Sequence, residues 1–109
     1  MGIAPPPLRV PTTLDDIRDR FNRGQYWQRA EAGEFRIRKL SSFIPRKRIA
    51  GEPSKTRTQI LEYLDRASGT RIALVHQYRR RDGSIGGSGR PDPKELLDGG
   101  ILYIADPYL

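Results

Sequence analysis

Glycine, proline and turn-forming Asp or Ser punctuate this chain and divide it into a series of separate helices and strands. Residues 1–11 hold four of the nine prolines: Pro5, Pro6, Pro7 and Pro11. Proline lacks an amide donor and fixes its own φ, so 1–11 is expected to be a flexible, Pro-rich extended arm. Thr13 is placed to cap a helix, and Asp15, Asp16 and Asp19 favour the positive end of its dipole. Leu14, Ile17 and Phe21 form one apolar stripe on that helix, and Gly24 is a natural stop. A second short helix over 25–32 carries Tyr26 and Trp27 and closes at Gly33. Trp27 reads first as a core anchor and second as a stacking platform for a nucleobase.

Residues 34–40 alternate. Phe35 and Ile37 point one way, Arg36 and Arg38 the other, as in a half-buried strand with a basic outer face. Pro45, Gly51 and Pro53 mark a loop that contains Arg46, Lys47 and Arg48. The stretch 56–67 fits two readings. Ile60, Leu61, Leu64 and Ala67 suit a helix, with Thr56 and Gln59 as a capping box. A turn at 65–70 followed by the buried-strand pattern of 71–78 suits a hairpin from 57–65 to 71–79, and the hairpin accounts for both segments. Beyond it lies a glycine-rich loop, 83–89, read as a flexible connector. Its spacing matches neither a Walker A loop nor a dinucleotide fingerprint. Asp92 as a cap and Pro93 in the first turn suggest a short helix over 91–97, and a last strand covers 101–105. The fold class is α+β: an N-terminal helix or helix pair packed on a small, mainly antiparallel sheet of about four strands, with 12–109 as a single basic domain.

Charge narrows the functional classes. The net charge of +7 is not spread evenly. Residues 34–57 carry eight basic side chains against Glu34 and Glu52, whereas 58–109 carry seven of each sign. A segregated excess creates a local positive potential that attracts a polyanion. The absence of cysteine removes disulfides, thiolate metal sites and a cysteine nucleophile. One histidine, His76, is too few for a conventional transition-metal site, so neither a metal nor a cofactor is expected. No apolar run is long enough to span a bilayer. The first residues resemble neither a secretory leader nor a myristoylation site, because position 6 is proline. A cytoplasmic location without a membrane partner is the expectation, and nothing in the sequence sets an oligomeric state.

Three functional expectations follow. The first is a small module that binds RNA or DNA through phosphate contacts from Arg36, Arg38, Arg46, Lys47, Arg48, Arg79 and Arg81. The second is a metal-independent, toxin-like ribonuclease. There His76 serves as general acid or base, Tyr78 lies beside it on the strand, and Arg79 or Arg81 stabilises charge. The third is an interaction module of mobile-element type that binds an acidic protein.

Overall fold

Thr13 opens helix α1 (Leu14–Arg23) in the computed structural model, which describes residues 5–109. The Asp16 amide donates to the Thr13 hydroxyl at 3.1 Å, and Gly24 caps the other end. Gln25 then adopts a left-handed backbone, φ 54°, which breaks the helix axis before α2 (Tyr26–Glu31). A side chain at Gly24 would collide with the Tyr26 ring, so the break depends on that glycine.

The strands are β1 (Leu8–Thr12), β2 (Phe35–Phe43), β3 (Arg57–Asp65), β4 (Arg71–Arg79), β5 (Asp92–Asp98) and β6 (Ile101–Ala105). They form one mixed sheet in the order β1-β6-β5-β4-β3-β2. β1 runs parallel to β6, and every other neighbouring pair is antiparallel. The fold is therefore α+β with six strands rather than about four.

Both additional strands replace something else the sequence suggested. Of the arm expected over 1–11, residues 1–4 lie outside the described residues, and the chain from Leu8 onward is β1. Pro11 fits there because β1 is an edge strand, where a missing amide donor costs least. The helix expected over 91–97 is β5. Pro93 is fully buried opposite Val75, and the β4–β5 ladder shifts register at that point. Such an irregularity is where a sheet admits proline. The hairpin of 57–65 with 71–79 is present as β3 and β4.

The core lies between the helices and one face of the sheet. Ile17 and Phe21 of α1 and Tyr26 and Ala30 of α2 bury in one cluster with Phe35, Leu61, Tyr63, Ala73, Val75, Leu96 and Tyr103. Phe21, Tyr26, Phe35 and Tyr63 form a closed quartet of rings, with neighbouring centroids 6.0–6.2 Å apart. The opposite face carries a chain of ion pairs across four strands. Arg38 on β2 and Arg71 on β4 both reach Glu62 of β3 at 2.6 Å, and Arg71 also meets Glu95 of β5 at 3.0 Å. Burial pushes the Glu62 carboxyl up, but Arg71 and Arg38 outweigh it and hold the group below the usual carboxylate range. Among the described residues, no helix is long and apolar enough to cross a membrane.

Candidate functional site

At one end of the sheet, β2 finishes, β3 begins and β4 finishes. The loop 44–56 and the glycine-rich loop meet there, and Glu52 joins them. Glu52 is only 4% exposed. Its carboxylate accepts from Arg80 Nε at 2.8 Å, from Arg80 Nη2 at 3.2 Å and from the Gly87 amide at 2.6 Å. The Arg80 guanidinium, and then the Gly87 amide, hold that carboxyl below its ordinary pKa. A Cβ at Gly86 would stand 2.6 Å from Glu52 Oε1, so glycine is what allows the carboxylate in.

The loop expected to be a flexible connector is therefore tied down. The Gly86 amide donates to the Tyr78 carbonyl at 2.9 Å, and Ile85 bridges to Arg79. One of its glycine amides, that of Gly87, does approach an anion, but the anion is a side chain of the same molecule. Glu52 and Gly87 are 35 residues apart, and no spacing rule links them.

Because Glu52 is taken up by Arg80, the other cations at this end have no carboxylate partner among the described residues. Arg57 stands directly opposite Arg79 across β3 and β4. Lys55, Arg57, Arg79 and Arg81 line one concavity of about 410 Å³. Arg46, Arg48 and Lys55 line an adjoining one of about 210 Å³, and Ile44 belongs to both. Lys47 is exposed between Arg46 and Arg48. Lys55 also holds a left-handed backbone, φ 65°, which is strained for a residue with a Cβ.

Five of the seven cations nominated from the sequence thus gather at this end: Arg46, Lys47, Arg48, Arg79 and Arg81. Arg36 and Arg38 do not. They stand opposite Leu64 and Glu62, toward the other end of β3 from Arg57, and Arg38 is ion-paired. Lys55 and Arg57 were missed as site residues, although both lie in the basic stretch 34–57.

The ribonuclease constellation is divided. His76 and Tyr78 pack edge to face, with ring centroids 4.8 Å apart. They line a groove of about 790 Å³ together with Arg18, Arg90, Asp92 and Lys94. Arg79 and Arg81 do not line that groove: alternation along β4 sends Arg79 to the other face from His76, and Arg81 lies in the turn beyond the strand. Arg18 and Lys94 are both engaged by Asp92, at 2.7 Å and 2.9 Å. His76 Nε2 lies 2.6 Å from the Thr58 hydroxyl.

Burial, and then the nearby Lys94 charge, lower the His76 pKa, while Asp92 opposes them. A lowered pKa means that the unfolded chain takes up a proton which the folded one resists. Stability is therefore complete above the unfolded value of about 6.5 and declines as pH falls through the folded value. Thermal melts between about pH 7 and pH 5 should show this decline in the wild type and a shallower one in His76→Asn. An equal decline in both would assign it to other groups.

Comparison with known protein families, curated proteins and solved structures finds no match for this chain.

Proposed function

We propose that this protein binds nucleic acid through its phosphates, at the sheet end that carries Lys55, Arg57, Arg79 and Arg81. One contrast carries the reading. Elsewhere Arg18, Arg20, Arg29, Arg38 and Arg71 each have a carboxylate partner, and Arg9, Arg36, Lys39, Arg66 and Arg90, which have none among the described residues, line neither concavity. At this end, among the described residues, none of Arg46, Arg48, Lys55, Arg57, Arg79 and Arg81 has one. Uncompensated like charges cost stability, and a polyanion relieves that cost. Arginine supplies a two-pronged fork that fits a phosphate. The contacts would go to the backbone of the ligand and carry little sequence preference.

The test is titration of nucleic-acid-free protein against RNA and DNA at two salt concentrations. About four phosphate contacts on a single strand imply a log–log salt slope near −3, hence roughly a 50-fold loss of affinity between 50 and 200 mM salt. Affinity unchanged over that range, or no binding at the lower concentration, would overturn the proposal.

A further inference from the structure

We infer that the nucleic acid taken at this end is single-stranded, with one base unstacked into an apolar groove beside Trp27; this rests on the phosphate-binding reading above. The groove, about 380 Å³, lies on the helix-bearing face of the sheet. It exists because the cover is shorter than the sheet. α2 has six residues, whereas β2, β3 and β4 have nine each. Ile37 is 47% exposed as a result.

Three observations give the groove its ligand. Arg79 and Gly83 line both this groove and the basic concavity, so a strand whose phosphates lie on Lys55, Arg57 and Arg81 has a base within reach of the apolar floor. That floor is Leu61 and Tyr63, with Trp27 at the side, and the volume lies in the range of about 300–1,000 Å³ typical of small-molecule pockets. Gln77 also lines it. Its Nε2 is committed to Gln59 at 2.9 Å, and among the described residues no donor reaches its Oε1. That oxygen can accept from a base N–H. Glu31 is the one carboxylate lining the groove, and it repels phosphate from the end served by α2.

A duplex keeps its bases paired and stacked, so it can use the cations but cannot fill the groove without extruding a nucleotide. Aromatic stacking of one base favours the single strand by roughly tenfold or more.

Trp27 is the only tryptophan, so its emission reports on the groove. The probes are an RNA single strand, the same strand in a duplex, and inorganic polyphosphate, each titrated at low salt. The single strand should bind at least about tenfold tighter than the duplex and change Trp27 emission, while polyphosphate binds without changing it. Trp27→Leu keeps an apolar side chain against the core and should lower single-strand affinity to the duplex level, with polyphosphate unaffected. Should that variant fail to fold, the wild-type ratio of single strand to duplex and its emission change decide the matter. Equal affinity for all three probes with unchanged emission would overturn the inference and leave phosphate binding standing. Binding to none of them would overturn both.

Discussion

Alanine at Lys55, Arg57 and Arg81 together should weaken single-strand binding by roughly 500-fold at 50 mM salt. Each phosphate contact on a single strand releases about 0.7 counterion, which at that salt is worth roughly eightfold in affinity. Three lost contacts compound to the larger figure, and the salt slope becomes shallower by about 2. All three side chains are exposed, so the fold should survive their removal. Arg79 is left in place because its guanidinium donates to the Gly83 carbonyl at 2.6 Å and helps to hold the loop. The control is alanine at Arg9 and Arg36, which are equally exposed and lie on the outer strands β1 and β2. Fluorescence anisotropy across a salt series measures both variants. Comparable losses in the two would mean that binding follows total charge and no particular surface.

Phe21→Ala should lower the unfolding free energy by about 3–5 kcal/mol, the usual cost of truncating a buried phenylalanine. Phe21 is 1% exposed and stacks on both Tyr26 and Tyr63. Its ring joins α1, α2 and β3 through a single set of contacts, so the surrounding structure has little freedom to close the cavity. Domains of this size are stable by about 5–15 kcal/mol, so the variant is left marginal. Denaturant unfolding measures the loss, with Phe43→Ala as the exposed comparison at under about 0.5 kcal/mol. A loss below about 1.5 kcal/mol would show that the ring quartet does not hold the helices on the sheet. Because α2 also carries Trp27, the same substitution should loosen the groove on that face.

The parts of the fold that could be read from the sequence are those in which neighbours along the chain do the work. Thr13, the aspartates after it and Gly24 act within one helix. The hairpin of β3 and β4 joins adjacent segments across a short turn, and its alternating pattern shows which residues face inward. β1 was hidden because its partner, β6, lies at the far end of the chain, and Pro11, following Pro5, Pro6 and Pro7, resembled part of a loose arm. β5 was hidden because Asp92 and Pro93 also make a good helix start. A register shift against β4 overrides that local preference.

The basic stretch was equally plain in the sequence, since residues 34–57 hold most of the surplus charge. Which of its members remain unpaired was not, because pairing depends on distance in space. Glu62 takes Arg38 from a strand 24 residues away, and Glu52 takes Arg80 from 28 residues away. Coulombic attraction falls with separation and is screened within about 10 Å in salt, so these assignments exist only once the strands are in register. Chain-local chemistry therefore specified the short helices, the central hairpin and the amount of positive charge. Long-range packing selected where that charge stays uncompensated, because it brought the two buried glutamates to Arg38 and Arg80 and left the other cations at the sheet's end without a carboxylate partner among the described residues.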